Sequence, residues 1–181
     1  MKAELQGLAT KETILKEYPQ VFDGLGCLAG ECAIEVDTTI LPVQQAPRRV
    51  AVHLRECLKE KIDELENREV ICRVEEPTEW ISNIVIVNRQ EKLRICLDPL
   101  DLNHAIRRPH YQMPTLDDVL PKLAKAKVFS VLDALNGFWQ IKLDKPSSYL
   151  TTFWTPLSRY RWLCLPFSLS GASNEYRHWK A

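Results

Sequence analysis

The stretch VFSVLDALNGFWQIKLD, Val128 to Asp144, decides the fold prediction because it places one acid between two strand-like runs. Apolar or small residues lead directly into Asp133, and a turn-like Asn136-Gly137 pair precedes the second run, Phe138 to Leu143. A charge at the end of a buried strand is costly unless a partner such as a metal ion pairs with it. The pattern therefore predicts strand, turn and strand, with Asp133 either a metal ligand at a strand end or a turn-initiating residue.

The composition describes a globular chain. It has 181 residues, of which 45% are hydrophobic and 27% charged, enough for one domain or one domain with a lobe. The net charge is zero but uneven: residues 1–80 hold 10 Lys and Arg against 16 Asp and Glu, and residues 81–181 hold 14 against 8. Such asymmetry indicates either an anionic partner for the basic half or simply two solvated faces.

The cysteines and the N-terminus indicate the cellular compartment in which the protein is expected. Six cysteines are irregularly spaced, and only Cys27 and Cys32 are close, with no second pair or His cluster to complete a zinc site. Free, mostly buried thiols in a reducing compartment are therefore expected. No apolar signal core or membrane-length run is visible, so we expect an intracellular protein, cytoplasmic or nuclear, that is not secreted and has no membrane partner.

Periodicity gives a coarse set of elements. Apolar residues at helical spacing predict a helix from Ala51 to Asn67. Thr115 with Asp118 resembles a capping box, which predicts a helix start and gives Asp117-Asp118 a capping rather than a catalytic role. Strands outnumber helices, which favours an α+β fold. The other predicted helices are 10–17 and one near Ser173, and the other predicted strands are 33–43, 68–74, 82–88, 92–98, 149–155 and 160–167.

Each of two basic clusters either contacts a phosphate or nucleic acid or is an ordinary group of solvent-exposed residues. Arg94 lies inside an apolar strand with Arg89 and Lys92 nearby, so it either faces a phosphate or is one of the basic residues common on exposed strand faces. Arg107-Arg108, followed by Pro109-His110-Tyr111, is a basic and aromatic cluster of the type that meets nucleic-acid backbones. Exposed loops carry such clusters for solubility as well.

The order of motifs resembles the fingers-to-palm passage of reverse transcriptases from Ty3/gypsy-type LTR retrotransposons. The segments 149–176 and 21–50 are similar to the family's hairpin with its L-P-F-G element and to its lead-in after the protease. The resemblance extends from Glu17 onward. Its motifs are Arg94, the D-x-x-x-L-N element Asp98 to Asn103, the Y-x-x-P segment Tyr111 to Pro114, F-S-x-L-D at Phe129 to Asp133, Gly137-Phe138 and Gln140-Ile141.

The resemblance implies an RNA-directed DNA polymerase that uses Mg²⁺, with an RNA or DNA template-primer and a dNTP as partners. It implies that Asp133 ligates the metal with the backbone carbonyl of Ala134. Phe138 would exclude a ribose 2′-hydroxyl, and Arg94 would hold the incoming triphosphate. The residues that it places in the template- and nucleotide-facing region are Arg89, Lys92, Arg107 and Arg108.

The same resemblance predicts an incomplete catalytic set. In the family a Tyr-x-Asp-Asp hairpin follows L-P-F-G, whereas this chain ends at Ala181, and Thr115 to Asp118 precedes Asp133. We therefore expect a lead-in at 1–45, a fingers-like part at 46–125 and a partial palm at 126–181, truncated before that hairpin. The positions that depart from the family's pattern are Ser168 for glycine, Ser173 for proline, Arg177 for glutamine and Leu100 for arginine.

The expected fold is thus α+β, with reverse-transcriptase-like fingers plus an incomplete palm, mixed or antiparallel strands and few helices. Two functions stay open. The chain is either a polymerase fragment that is inactive on its own, with the remainder of a Pol polyprotein as its partner, or a catalytically dead remnant that binds nucleic acid or protein weakly. An in-frame Tyr-x-Asp-Asp downstream of Ala181 would favour the first, and a native stop the second.

Overall fold

The computed structural model describes residues 11–89, 92–108, 115–124, 126–128 and 134–178. Helices and strands alternate irregularly along these ranges, and most of the elements are short. The helices are α1 (Lys11–Glu17), α2 (Pro19–Phe22), α3 (Arg55–Asn67), α4 (Leu100–Ala105), α5 (Leu116–Leu123), α6 (Lys145–Leu150) and α7 (Ala172–His178). The strands are β1 (Glu31–Cys32), β2 (Ile71–Val74), β3 (Asn83–Arg89), β4 (Lys92–Asp98), β5 (Lys142–Leu143), β6 (Phe153–Trp154) and β7 (Arg159–Trp162).

The strands form three small sheets in the described part of the chain. β2, β7 and β6 pair antiparallel in that order, β3 and β4 form an antiparallel hairpin, and β1 runs parallel to β5. Helices and mixed sheets share one hydrophobic core. The predicted α+β class with mixed and antiparallel strands is therefore confirmed. The prediction of few helices, outnumbered by strands, is wrong for the described residues, which form seven helices and seven strands.

Helix α3 is the main helical contribution to this core. Its buried residues are Leu58, Ile62 and Leu65, which recur every three or four positions and so share one face. Burying each such side chain contributes about 1.5–3 kcal/mol. A single 3₁₀ turn, Val52–Leu54, precedes the helix, so the predicted helical segment is confirmed with a tighter first turn.

The β3–β4 hairpin matches its predicted strands closely. β4 spans the predicted residues 92–98, and β3 is shifted by one residue from the predicted 82–88. Ile84 pairs with Leu97 and Ile86 with Ile95, and these residues face the core. Arg94 pairs with Val87 on the opposite face of the hairpin.

The predicted second strand, Phe138 to Leu143, is wrong for most of its length. Gly137–Gln140 form a 3₁₀ turn, and only Lys142–Leu143 form a strand. The reason is local: Asn136 adopts a left-handed conformation (φ 52°, ψ 38°), which directs the chain into the turn rather than into extended structure. The first strand of this prediction falls mostly on residues 129–133, outside the described ranges.

The strand predicted over residues 149–155 is also largely wrong. Helix α6 begins earlier, where Asp144 caps it by accepting a hydrogen bond from Ser147 N at 2.9 Å. The hydroxyls of Thr151 and Thr152 then donate to backbone carbonyls three residues back, both at 2.7 Å. These side-chain bonds close the helix end, so only β6 remains extended.

The predicted edge strand over residues 33–43 is reduced to an isolated bridge. Val36 pairs antiparallel with Ile106, and the chain then turns. The Asp37 carboxylate accepts hydrogen bonds from the backbone N–H and the hydroxyl of Thr39, at 2.9 and 2.7 Å. This aspartate turn ends the extended conformation.

The helix starts predicted from Thr115 and near Ser173 are confirmed. Thr115 Oγ1 accepts from Asp118 N, and the Asp118 carboxylate accepts from Thr115 N at 2.8 Å, which is a complete capping box. The Thr115 hydroxyl also donates to the Asp118 carboxylate at 2.7 Å, and this bond together with the bond from Thr115 N lowers the pKa of Asp118. α5 ends at Leu123, and α7 begins at Ala172.

Residues 28–45, here called the N-terminal strap, pack along the rest of the chain. Leu28 N donates to Gln140 O, Asp37 N to Ala105 O and Gln45 N to Ile81 O, at 2.7–2.9 Å. Ile34 N donates to Ser147 Oγ at 2.7 Å. The strap therefore joins elements that are far apart in sequence, while the predicted domain boundary at residue 45 stays a prediction.

All six cysteines are free, as predicted, but the prediction that most of them are buried is wrong. Cys32 and Cys164 are buried, whereas Cys27 and Cys57 are exposed. Cys57 lies on the exposed side of α3, whose buried face is filled by larger apolar residues. Among the described residues, no helix has the length and hydropathy needed to cross a membrane.

Truncating a core residue of α3 tests this packing. Ile62 is fully buried, so Ile62→Ala is expected to lower the free energy of unfolding by about 2–5 kcal/mol. Urea denaturation followed by circular dichroism measures the change. Lys59→Ala, on the exposed side of the same helix, is the control and should change stability by no more than about 0.5 kcal/mol. Equal midpoints for the two variants would contradict the packing of α3.

Thiol chemistry offers a pH-dependent test. Burial raises the pKa of Cys164 to about 11, so the reactive thiolate is suppressed there. Iodoacetamide at pH 8 is expected to modify Cys27 and Cys57 well before Cys164, as read by peptide mass spectrometry. The protonated thiol favours the folded state below its ordinary pKa near 9, and this contribution is lost as the pH rises towards 11. Cys164→Ala should lack that component; early alkylation of Cys164 would contradict its burial.

Candidate functional site

An aromatic cluster joins two of the motifs singled out in the sequence. The half-buried ring of Phe138 meets Phe167 edge-on at a centroid distance of 5.4 Å, and it lies tilted against Tyr176 at 5.0 Å. Phe167 belongs to the L-P-F-S segment, and Tyr176 lies on α7. The 3₁₀ turn that carries Phe138 is therefore held against this segment by ring contacts.

Gly137 allows this close approach. A Cβ added at Gly137 would lie 2.7 Å from Cζ of Tyr176, closer than carbon atoms pack. A larger residue here would displace the Tyr176 ring from the turn. The glycine of the glycine-aromatic pair therefore permits the contact between the turn and the Tyr176 ring, which the sequence alone does not reveal.

Asn103 fixes the L-P-F-S segment from the other side. Its Nδ2 donates to Ser168 O at 3.1 Å, and its Oδ1 accepts from Ser170 N at 2.7 Å. The backbone of this segment is therefore anchored to the end of the D-x-x-x-L-N element. Two motifs that are more than sixty residues apart in sequence form one structural unit.

Arg107 is held by the N-terminal strap. Its backbone N–H donates to Glu35 O at 2.9 Å, and its guanidinium lies 3.8 Å from Asp37 Oδ1 in a largely exposed ion pair. Hydrogen bonds from Thr39 lower the pKa of Asp37, and the charge of Arg107 lowers it further. Asp37 is thus ionised at neutral pH and neutralises part of the charge of Arg107.

Arg108 lies beside a small cleft. Its Nη2 donates to Ser170 Oγ at 3.2 Å, although most of the side chain is exposed. The cleft, of roughly 220 Å³, lies between the strap and the L-P-F-S segment, with Ile34 and Leu165 among its apolar lining residues. The Arg107-Arg108 pair is thereby brought next to the segment that contacts Phe138.

The hairpin residues lie apart from this group. Arg94 is exposed on β4, with no ion pair in the ranges that the structure describes. Arg89 and Lys92 pair across the ends of β3 and β4, but their side chains fall outside the description. The predicted basic residues therefore fall into two groups, one on the hairpin and one beside the strap.

The predicted metal ligand, Asp133, lies outside the described residues. Ala134 is exposed, and its carbonyl accepts a hydrogen bond from Gly137 N at 3.2 Å, which leaves the second lone pair of that oxygen for another partner. Among the described residues, no cluster of three or more His, Cys, Asp or Glu side chains has metal-site geometry. The roles of Asp133 and Ala134 stay predictions.

Sequence reasoning missed three residues that shape this region. Asp37 has no role in the motifs, Asn103 was noted only as part of an element, and Phe167 only as part of L-P-F. An amide at the end of a motif is a signal for paired backbone contacts, because one side chain supplies both a donor and an acceptor. Asp37 carries no comparable signal, since its partner is distant in sequence.

Comparisons with known proteins bear on the same region. The chain is 38% identical over 88 residues, 49% of its length, to the retrovirus-related Pol polyprotein from transposon 412 of Drosophila melanogaster, of which it spans 7%. It is 27% identical over 150 residues, 81% of its length, to the enzymatic polyprotein of Cauliflower mosaic virus (strain Strasbourg), of which it spans 22%. The chain thus spans less than a quarter of either relative. No protein-family model matches it.

Solved structures show the same fold. The prototype foamy virus protease-reverse transcriptase (CSH mutant) matches 92% of this chain and 23% of its own, with a TM-score of 0.79 and 19% identity. The foamy viral protease-reverse transcriptase in complex with an RNA/DNA hybrid matches 98% of this chain and 25% of its own, with a TM-score of 0.73 and 18% identity. Together with the polyprotein relatives, these similarities support a retroviral or retrotransposon Pol region.

Substitutions at Asn103 test the anchoring of the L-P-F-S segment. Asn103→Ala removes both bonds and is expected to cost about 1–3 kcal/mol of stability and to speed hydrogen exchange at the Ser170 amide. Asn103→Asp keeps the acceptor for Ser170 and should preserve more of that protection. His104→Ala, at the exposed neighbouring position, serves as the control. Unchanged exchange in Asn103→Ala would refute the anchoring role.

Proposed function

We propose that the chain is the fingers and the N-terminal part of the palm of a Ty3/gypsy-type reverse transcriptase, a nucleotidyltransferase, and that it contacts a template-primer and a dNTP. The main support for the proposal is the contact between the rings of Phe138 and Phe167, because this contact places the glycine-aromatic pair next to the L-P-F element. Ordered motifs that converge in one place are expected of a shared site. The proposed parts are residues 1–45 as lead-in, 46–125 as fingers and 126–181 as palm.

The nucleotide side of the proposal uses Phe138 and Arg94. Phe138 contacts the rings of Phe167 and Tyr176, which position its own ring as a wall of the type that would exclude a 2′-hydroxyl. Arg94 is exposed and without a described ion partner, so its guanidinium fork is available for a triphosphate. Asp133 and the Ala134 carbonyl would hold Mg²⁺, which supplies charge neutralisation at the reacting phosphates when bound.

The nucleic-acid side uses two groups of basic residues, Arg89 with Lys92 and Arg107 with Arg108. Solved protease-reverse transcriptases of this fold bind an RNA/DNA hybrid and double-stranded DNA. For this chain the exposed Arg108 and the partly neutralised Arg107 are the described candidates for backbone contact. Because Asp37 competes for Arg107, weak and strongly salt-dependent binding is expected.

A second candidate function is a catalytically dead remnant that binds nucleic acid or protein weakly. Leu100 favours it, since an apolar side chain that is 61% exposed occupies the position where the resembling family has arginine. The two candidates differ in the response to nucleotide. A polymerase fragment binds the primer-template with higher affinity when the matching dNTP and Mg²⁺ are added, and Arg94→Ala abolishes this increase. A dead remnant shows no increase in affinity.

Removing the basic pair tests the nucleic-acid side. Arg107→Ala with Arg108→Ala is expected to weaken binding of a labelled primer-template regardless of sequence and to lower the salt slope by about 2, one for each lost phosphate contact. Fluorescence anisotropy across a salt series measures both. The matched control, Lys59→Ala with Lys145→Ala, removes the same charge at exposed positions elsewhere.

Asp37→Asn provides the opposite change. It frees Arg107 from its ion pair, so binding should become tighter than in the unchanged chain. The charge-matched control is Glu60→Gln, on the exposed side of α3. If Arg107 contacts nucleic acid directly, Asp37→Asn increases the affinity for the primer-template more than Glu60→Gln does. Binding that responds equally to all charge changes would refute the assignment of these arginines.

A further inference from the structure

The three-stranded sheet ends in a strand that has a neighbour on one side only. In the described part of the chain the strand order is β2, β7, β6, so β2 (Ile71–Val74) is an edge strand. Among the described residues, every backbone bridge to β2 comes from β7. The outer side of a strand of this kind is a template on which a further strand can pair.

The register identifies the backbone groups that face outward. Leu163 N donates to Val70 O at 2.8 Å, immediately before the ladder of β2 with β7 begins at Ile71. Hydrogen-bonded and non-hydrogen-bonded pairs alternate in an antiparallel ladder. Cys72 therefore bonds to β7, whereas the N–H and C=O groups of Ile71 and Arg73 point away from it. These four outward groups are here called the β2 edge.

The side chains beside the β2 edge carry both signs of charge. Arg73 is exposed, and so is Glu66 in the last turn of α3. Neither forms an ion pair with a residue that the structure describes. Burial raises the pKa of Tyr160, the charge of Glu66 raises it further and the charge of Arg73 lowers it, so both charges lie near that ring.

We propose that a second copy of this chain pairs antiparallel with the β2 edge, with Cys72 of the two copies facing each other at a two-fold axis. In this register Ile71 of each copy lies opposite Arg73 of the other, and their outward groups form four reciprocal N–H to C=O bonds. Because the same edge is used on both copies, the pairing closes at a dimer. It requires neither nucleic acid nor the polymerase assignment.

Charge complementarity favours a second copy as the occupant. The pairing brings Arg73 of one copy to the start of β2 in the other, where α3 ends. Val70 N donates to Leu65 O at 3.0 Å, which places Glu66 at that same end of the strand. The unpaired Arg73 of each copy therefore approaches the unpaired Glu66 of the other, and symmetry makes this contact twice.

The neighbouring registers are less favourable. A shift that sets Arg73 opposite Arg73 of the second copy places like charges directly across the strands, which is destabilising. The opposite shift sets Arg73 against Glu69, whose left-handed backbone (φ 54°) is not extended and cannot continue the ladder. The register centred on Cys72 is thus selected by both charge and backbone conformation.

Cys72 gives a direct measurement of this register. Opposed residues of a non-hydrogen-bonded pair have Cα atoms about 4.5 Å apart, within the range that a disulfide spans. Diamide, an azo oxidant that accepts both thiol hydrogens as the disulfide forms, is expected to join two copies through Cys72. The tested chain carries Cys27→Ser, Cys57→Ser and Cys96→Ser, so that the thiols left besides Cys72 are buried. Non-reducing electrophoresis and peptide mass spectrometry identify the product.

The matched control retains the exposed Cys57 and carries Cys72→Ala instead. It is expected to stay monomeric under the same oxidation, because Cys57 does not lie on the axis. Cross-linking of the Cys57 chain as fast as that of the Cys72 chain would show random collision and would overturn the register. Faster cross-linking through Cys72 supports it.

A charge exchange between Arg73 and Glu66 tests the non-covalent contact. Sedimentation equilibrium of the unchanged chain is expected to show a dimer whose fraction rises with concentration. Arg73→Glu should raise the dimer dissociation constant roughly tenfold, because the reversed charge acts twice across the axis. Adding Glu66→Arg should restore the affinity. Lys145→Glu makes the same charge change at an exposed position on α6 and should leave the dissociation constant unchanged.

Urea midpoints near that of the unchanged chain establish that the variants are folded. A monomer at every concentration would overturn the proposal and would leave the β2 edge for a strand of a different protein. Equal effects of Arg73→Glu and Lys145→Glu, or no recovery on adding Glu66→Arg, would overturn it as well. Loss of the dimer in Arg73→Glu with recovery in the exchanged pair supports pairing of two copies at β2.

Discussion

Backbone pairing of the short segment 140–144 is the interaction on which the rest of the structure depends. On one side the N-terminal strap bonds to it: Leu28 N donates to Gln140 O at 2.7 Å and Asp144 N to Cys32 O at 3.1 Å. On the other side Leu165 N donates to Ile141 O at 2.9 Å, within the run that leads to the L-P-F-S segment. Because buried backbone groups must be paired, losing either neighbour would leave the segment unsatisfied.

This double pairing sets the position of the aromatic cluster. Phe138 lies two residues before the paired segment, and Phe167 follows Leu165 by two residues, so the two rings are brought together by backbone register. Asn103 adds a third constraint through Ser168 and Ser170. In the sequence, negative charge is concentrated in residues 1–80 and positive charge in residues 81–181. The fold brings the two together, because the acidic strap lies against the Arg107-Arg108 pair.

Local elements could be predicted from the sequence, and those that depend on distant partners could not. Helix α3, the β3–β4 hairpin and the Thr115 capping box rest on periodicity and on residues within a few positions of one another. The misassigned strand at 138–143 depends instead on a left-handed Asn136 and on pairing with residues over a hundred positions away. No local pattern encodes such a partner, and β propensity follows the environment.

In the candidate site as well, residue types could be predicted from the sequence, whereas their long-range partners could not. The motifs predicted that Phe138, Arg94 and the Arg107-Arg108 pair matter, because each residue type suits its chemistry. Their neighbours could not be predicted: the bonds of Asn103 cross 65 and 67 residues, and Asp37 meets Arg107 through the strap. Sequence spacing gives the identity of candidate groups, whereas the fold decides which of them are neutralised.

The parallel pairing of β1 with β5 has a consequence for how the chain acquires its structure during synthesis. The strap contact between Ile34 and Ser147 joins residues that are 113 positions apart, so the N-terminal part of the strap cannot dock until the ribosome has released Ser147. Until then the bonds of residues 28–34 to residues 140–147 are missing, although Asp37 and Gln45 can already bond to Ala105 and Ile81, and closing so long a loop slows folding. Local elements such as α3 and the β3–β4 hairpin complete their own contacts first, and the N-terminal part of the strap docks last.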